Sequence, residues 1–404
     1  MIFQLKYSLP CPERPVAFAS VVMRAANLAM AALGLLAIPH AAQGQTRDGS
    51  GGTGPISGYM EMHLNKPIED RDTPDPKAPA VLDFHRFVLL FSHSFTPRLR
   101  FVGELELEHA MVEGREDKGE LELEQAYVDY LIAPELNVRA GMLLVPVGII
   151  NERHEPPIFH GVERPFVDTV IVPSTWFDVG AGVHGTIRGQ VRYRLYAMAP
   201  LDAAFFTADE GLRGGSQQGV EAQVRHVAFT GRAEYLGMRG LQVGASFWRG
   251  KSSVSLPRLD VPTGLVELDA RYSRGRFETR GQYAHVFIDG AAALNGAVGR
   301  LTGISPNVAR QMRGFYVEGA YRVLPRRFAH DLALFARYEN FDTQFRMDVG
   351  DVNLPEFDRD AWVVGGTYWL DPDVALKVDY SHVRSQSQVI PAPRSLNIGL
   401  GWWF

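Results

Sequence analysis

Along most of the chain, apolar and polar residues alternate with a period of two. Between Arg98 and Glu108, Leu99, Phe101, Leu105 and Leu107 take one face, and Arg98, Arg100, Glu104, Glu106 and Glu108 take the other. Successive side chains of a strand point to opposite faces, so this is strand alternation with charge on one side. The pattern returns where Gln190, Arg192 and Arg194 alternate with Val191, Tyr193 and Leu195. It returns again where Arg276, Glu278 and Arg280 are separated by Phe277 and Thr279, and where Lys377, Asp379 and Ser381 oppose Leu376, Val378 and Tyr380. Each run is about ten residues, enough for a tilted strand to cross a bilayer.

Sixteen such runs can be marked, at about 56–64, 80–95, 98–111, 120–132, 135–144, 179–188, 190–199, 225–236, 241–249, 263–274, 275–288, 312–323, 330–342, 359–370, 373–385 and 395–404. Their connections alternate between two classes. Short turns are expected at Thr96-Pro97, Ala133-Pro134, Gly189, 237–240, Arg274-Gly275, 324–329 and Asp371-Pro372. Long links are expected at 65–79, 112–119, 145–178, 200–224, 250–262, 289–311, 343–358 and 386–394. An even strand number with short turns on one rim and long loops on the other predicts an all-β, closed, antiparallel transmembrane barrel. The short turns and both termini are then expected in the periplasm. A soluble β-sandwich also alternates, but it gives no reason for the strict short/long order. Closure also removes the unpaired edges that hydrocarbon would not tolerate. In strand four, Glu120, Glu122 and Glu124 share parity with Tyr130 while Asp129 falls with Leu121, so a bulge or a switch of faces is expected there.

Composition agrees with this reading. With 22% charged and 46% hydrophobic residues, the chain is neither disordered nor a helical membrane bundle. Met23 and Arg24 precede the apolar stretch Ala25 to Ile38, and Ala42-Gln43-Gly44 offers small residues for signal peptidase. Residues 1–44 are therefore expected to be an extension plus export signal cleaved after Gly44, with Met23 as the expected true start. Residues 45–404 form the single barrel domain. Loss of 1–44 removes the lone Cys11, so no disulfide or thiol chemistry is expected, and it shifts the formal charge from −5 to −7. Nucleic acid is excluded as a partner for want of a basic footprint.

In the last run, Leu396, Ile398, Leu400, Trp402 and Phe404 alternate with small or polar residues, and the chain stops on Phe404. A terminal aromatic strand resembles the sorting signal of outer-membrane barrels, which makes barrel-assembly machinery an expected partner. Aromatics gather at strand ends, at Phe95, Tyr130, Tyr196, Tyr235, Trp248, Tyr321, Trp362, Tyr368 and Trp369, as interfacial girdles would.

Several stretches carry a family resemblance: Glu104 to His109 (ELELEH), Gly119 to Tyr130 (GELELEQAYVDY), Gly141 to His154 (GMLLVPVGIINERH), Glu155 to Arg164 (EPPIFHGVER) and Pro173 to Gly182 (PSTWFDVGAG). They resemble porins related to the phosphate-selective O/P group. The resemblance is densest over 100–250. It implies a sixteen-stranded, usually homotrimeric channel in the outer membrane of a Gram-negative bacterium, in contact with outer-membrane lipid.

Sixteen strands enclose a lumen that side chains alone cannot fill, so the long loop after strand five becomes the expected constriction. That loop, 145–178, is stiffened by Pro146, Pro156, Pro157, Pro165 and Pro173 and carries Asn151, Glu152, Arg153, His154, Glu155, His160, Glu163, Arg164 and Asp168. A loop of this length in a compact protein usually serves function. It is expected to fold into the pore. Strand parity assigns Arg98, Arg100, Glu104, Glu106, Glu108, Asn137, Arg139, Arg192, Arg194, Arg271, Arg276, Glu278 and Arg280 to the lumen wall.

Arginine rings favour anions, whereas an Arg beside a Glu can be a solvated ion pair that merely holds the wall. The wall is mixed, and after residue 44 only five lysines remain. The functional expectation is therefore passive diffusion of small hydrophilic solutes, with a secondary lean toward anions. The alternatives are a non-transport barrel, adhesive or structural, and a barrel hydrolase. No GxSxG occurs, and Ser381 and His382 fall on opposite strand faces, so no enzyme activity is expected. Glu108-His109 with Asn151 to Glu155 could ligate a cation if the loop folded against strands three and four. Hydrogen bonding of loop to wall is the expected arrangement, with no metal and no cofactor. Gln217 to His226 is helix-capable and is expected to cover the mouth.

Overall fold

The computed structural model describes residues 56–68, 78–112, 119–325, 328–387 and 393–404. The segment read as an export signal, with Cys11, lies outside the described residues. Sixteen strands follow one another: β1 (Ile56–Pro67), β2 (Val81–Thr96), β3 (Leu99–Glu108), β4 (Leu121–Ala133), β5 (Leu136–Leu144), β6 (Phe177–Ile187), β7 (Val191–Met198) and β8 (Ala228–Met238), then β9 (Leu241–Lys251), β10 (Pro262–Arg274), β11 (Phe277–Ile288), β12 (Gln311–Arg322), β13 (Asp331–Arg346), β14 (Asp358–Asp371), β15 (Val374–Ser385) and β16 (Arg394–Trp403). Each pairs antiparallel with its sequence neighbours, and β1 pairs with β16 to close the barrel. The closing seam ends on Phe404, whose backbone exchanges two hydrogen bonds with Gly58 (Gly58 N–H to Phe404 O, 3.1 Å; Phe404 N–H to Gly58 O, 2.9 Å).

The two faces of the wall differ as the alternation requires. On β8, β9 and β10, Phe229, Val243, Phe247, Val266 and Leu268 point outward and are exposed, while Arg232, Glu234, Ser246, Glu267 and Asp269 point inward and are buried. An outer surface this apolar suits hydrocarbon. Near the short-turn rim, Phe95, Tyr130, Tyr235, Phe277 and Tyr321 face outward as a girdle. Three of the aromatics expected in the girdles point the other way: Tyr196 and Trp248 are buried among loop residues inside the barrel, and Trp369 is covered by the inner loop and by Arg322. Their parity with inward polar neighbours, not their place near a strand end, decides this.

Six of the short turns fall where expected and span two or three residues each, and residues 323–330 join β12 to β13. Arg188 and Gly189 form one with positive φ at both positions (52° and 69°), the pairing that matches the twist of a tight hairpin. The bulge expected in β4 lies opposite Glu104 and Leu105: Glu104 pairs with Gln125 and Leu105 with Leu123, so Glu124 is the extra residue. Two long links depart from expectation. The 289–311 link contains the helix α1 (Ala291–Thr302), started and stopped by Gly290 and Gly303 with left-handed φ. Gln217 to His226, by contrast, is not helical. Gln218, Gly219 and Glu221 have positive φ, and the Asp178 carboxylate accepts from the amides of Gln217 and Gly219, which holds a turn in place of a helix.

Candidate functional site: the barrel lumen and its inner loop

The connection from β5 to β6, residues 145–176, folds into the lumen. Asn151 ties its two ends together. Its Nδ2 donates to the carbonyls of Val145 (2.7 Å) and Trp176 (2.9 Å), and its Oδ1 accepts from the Trp176 amide (2.8 Å). From that staple the loop reaches wall strands around the barrel through backbone amides and through side chains. Ile149 N–H donates to Gln282 Oε1 on β11 (2.9 Å), Val167 N–H to Glu339 Oε2 on β13 (3.0 Å), and Val162 N–H to Asp379 Oδ2 on β15 (2.5 Å). Gly148 and Gly161 make this path possible, with φ of 79° and 87°; at Gly161 the chain passes between Arg337 and Asp379.

Side chains complete the docking. Glu152 meets Arg194 at 2.9 Å, Glu163 lies 3.2 Å from His63 and accepts from Asn65 (2.9 Å), and His160 stacks on Phe335. Phe166 stacks on Phe341, Trp176 packs against Trp248, and the Lys377 ammonium sits 3.6 Å over the Phe159 ring. Arg164 donates to Ser174, and Glu155 is buried. Arg153 is half-buried on the same loop. The Asp168 carboxyl is pushed up to about 7 by burial, against the hydrogen bond it accepts from Gln282 (2.7 Å) and the nearby Arg280 charge.

On the wall, the residues assigned by parity gather into ion-pair clusters. Arg100, Arg139 and His184 converge on Asp129 (2.9, 2.8 and 3.1 Å), with Arg139 lying over the Tyr127 ring. Asn137 carries this wall on to β6 through His184 O. Arg192, Arg194, Arg232 and Arg271 surround Glu234 (4.0, 2.9, 3.4 and 3.0 Å). Arg280 and Arg337 share Glu318, and Glu278 lies between Arg322 (2.6 Å) and His160 (3.4 Å). Arg86 holds Glu61, Glu106 and Glu108. Two of the assigned arginines stand apart: Arg98 is exposed in the β2–β3 turn, and Arg276 lies in the β10–β11 turn with its guanidinium toward Val323 O. Glu104 and Glu124 face His154 of the loop, while His109 turns instead to Asp83 and His85 on β2.

Sequence reading missed Arg86, Asp129, Arg232, Glu234, Glu318 and Arg337 as members of these clusters, and it put Lys377 and Asp379 on a polar strand face without foreseeing their contacts with the loop. The available signal was a charge with apolar or small residues on both sides in the middle of a strand, as in Phe335-Ala-Arg337-Tyr338. In a barrel wall such a residue can only face inward.

A cavity of about 280 Å³ remains between loop and wall. Pro67, Val81 and Pro393 line it at the long-loop rim, and Glu163, Arg337 and Asp379 deeper in.

No protein-family model matches the chain. The chain is 36% identical over 332 residues to an uncharacterized protein of Aquifex aeolicus (strain VF5), covering 80% of this chain and 74% of that one, and it belongs to the same family. Among solved structures it resembles the outer membrane channel DcaP of Acinetobacter baumannii (TM-score 0.57, 14% identity, 86% of this chain and 96% of that one). It also resembles OmpF of Salmonella typhi in complex with daunomycin (0.57, 11%, 86% and 97%). A third likeness is to an anion-selective porin from Comamonas acidovorans (0.55, 13%, 86% and 98%). The fold is that of a sixteen-stranded outer-membrane porin.

Proposed function

We propose that this relative of the Aquifex aeolicus protein is a passive diffusion channel for small hydrophilic solutes. The observation that carries the reading is the cavity left beside the docked loop, which runs from the long-loop rim toward Arg337 and Asp379. A sixteen-stranded wall encloses more space than its own side chains occupy, and a pinned loop narrows that space without depending on gating motions.

A mild lean toward anions fits the partly exposed guanidinium groups of Arg100, Arg192 and Arg271. Each of them has a carboxylate close by, so the field they offer is weak. A phosphate site needs several forked guanidinium groups directed at one oxygen cluster. The clustered wall arginines converge on carboxylates instead, so the solutes are small hydrophilic ones in general, with anions favoured. It also includes export by residues 1–44, assembly in a Gram-negative outer membrane with the short turns and both termini in the periplasm, recognition of Phe404 during assembly, and a homotrimer.

Reconstitution into a planar bilayer tests this. Stepwise ohmic conductance with a reversal potential displaced toward the anion side in a KCl gradient is expected. Folded protein that inserts without conducting would overturn the channel reading in favour of a non-transport barrel whose loop acts as a plug.

A further inference from the structure

The bulge in β4 places Glu124 on the lumen side next to Glu104 of β3, and the inner loop delivers His154 between them. His154 Nε2 lies 3.2 Å from Glu124 Oε2 and 3.7 Å from Glu104 Oε1, and all three side chains are almost completely buried. The other ring nitrogen, Nδ1, is 3.1 Å from the carbonyl oxygen of Asn151, which can only accept. Nδ1 therefore carries a proton, and Nε2 of the neutral ring presents its lone pair to two carboxylate oxygens. That arrangement is repulsive unless a cation stands among the three atoms.

A proton on Nε2 would answer one of the two carboxylates, but the surroundings ask for more. Glu106, also buried, lies beside this group and neither of its oxygens accepts a hydrogen bond from the described residues; its ion-pair partner Arg86 is shared with Glu61 and Glu108. The Tyr59 hydroxyl is wholly buried, its ring packs edge-on against His154, and it has no hydrogen-bond partner among the described residues. Glu104 is oriented by Gln125, and His154 by the Asn151 carbonyl, the outer contacts that fix metal ligands. Ligand atoms around a tetrahedral ion with bonds of about 2.1 Å stand about 3.4 Å apart, close to the separations found here. One imidazole with two or more carboxylates suits Zn²⁺ or Mn²⁺ better than Ca²⁺ or Mg²⁺, which take oxygen ligands.

We infer that Glu104, Glu124 and His154 bind one Zn²⁺ or Mn²⁺ ion, which pins the inner loop to the β3–β4 wall, with Glu106 and Tyr59 completing its surroundings. The second His/Asp group, Asp83 with His85 and His109, is a poorer candidate. Arg86 Nη2 lies 2.9 Å from His85 Nε2 and donates to it, which leaves the proton on the Nδ1 that faces Asp83.

The test uses the untagged, full-length barrel folded in detergent, stripped with chelator and titrated calorimetrically with ZnCl₂ and with MnCl₂. One saturable equivalent of either ion is expected, weakened at least ~100-fold in His154→Gln and in Glu124→Gln, and kept in His85→Gln. Absence of saturable binding by the wild type, or binding that survives both lumen variants, would overturn the inference. X-ray absorption at the metal edge of the loaded wild type needs no variant: a shell of oxygens with one imidazole nitrogen is expected, and a shell without imidazole would refute it. These readouts concern binding alone, so they stand apart from the conductance that tests the channel reading.

Discussion

Arg194 of β7 meets Glu152 of the inner loop at 2.9 Å, and the same guanidinium holds Glu234 of β8 at 2.9 Å. One side chain thus joins two neighbouring wall strands to the loop. With Arg192 beside it, it forms part of the cationic side of the lumen. Replacing Arg192 and Arg194 together by Gln should move the reversal potential in a salt gradient a few millivolts toward cations, because the carboxylates of Glu152 and Glu234 lose their counter-charges. An unchanged potential would remove both residues from any account of selectivity.

Arg337 is almost fully buried, between Glu318 (3.1 Å) and Glu339 (2.8 Å), and it donates to the His160 carbonyl of the loop. Removing one partner of such a network leaves buried charge uncompensated. Arg337→Met should therefore destabilise the barrel by about 3–5 kcal/mol. Arg98→Gln, in an exposed turn, should stay within about 0.5 kcal/mol. Urea unfolding in detergent, followed by tryptophan fluorescence, compares the two directly. Equal midpoints would show that the Glu318–Arg337–Glu339 network contributes nothing.

Asp168 holds the loop to Gln282 and faces Arg280, Arg337 and Glu339. Burial raises its carboxyl to about 7 in the docked loop, well above the value of a free carboxylate. The docked form therefore binds the proton more tightly than the released form. Docking is fully favoured below the free carboxylate range, and that advantage is lost as pH rises through about 7. Limited proteolysis of the loop should accelerate between pH 5 and pH 8, roughly the interval spanned by the shift, and Asp168→Asn should flatten the profile. A wild-type rate independent of pH would show that the loop's hold does not involve this proton.

Phe404 contributes two things that a single substitution separates. Its backbone helps close β1 onto β16, whereas its ring lies on the outer face and stacks on Phe87 (6.0 Å between centroids). Phe404→Ala keeps the backbone bonds. Refolding in detergent should proceed with little loss of stability, while the amount of folded barrel recovered from outer membranes of an expressing cell should fall several-fold. Normal recovery in cells would rule out the ring as an assembly signal.

Much of the architecture could be read from the chain because lipid outside and polar contents inside impose a strict alternation. The sixteen strands, the short and long connections and the β4 bulge all follow from parity. Why Glu124 lands beside Glu104 does not, because it depends on the register between two strands. The same holds for Arg86 bridging Glu61, Glu106 and Glu108, which sit on different strands around it. The segment Gln217 to His226 misleads for a local reason, since Asp178, distant in sequence, captures its amides. α1 is the converse: a short run bounded by two glycines, whose buried Ala291, Leu294, Asn295 and Val298 fall at helical spacing, in a stretch read from sequence only as a long link. In the acidic β3–β4 hairpin, Glu106 and Glu108 face Arg86 and Glu104 and Glu124 face His154, partners that come from elsewhere in the chain.

Three of the inner loop's holds on the wall are made by its peptide groups, at Ile149, Val162 and Val167, and the receiving atoms belong to Gln282, Asp379 and Glu339 on the wall. A peptide N–H is common to nineteen of the twenty amino acids, so every residue except proline preserves these three clasps. Ile149, Val162 and Val167 can accordingly change side chain while these three clasps persist, with Gly148, Gly161 and Asn151 keeping the loop on its course. The passage could be re-lined by evolution, or in a combinatorial library, without redesigning the cylinder around it.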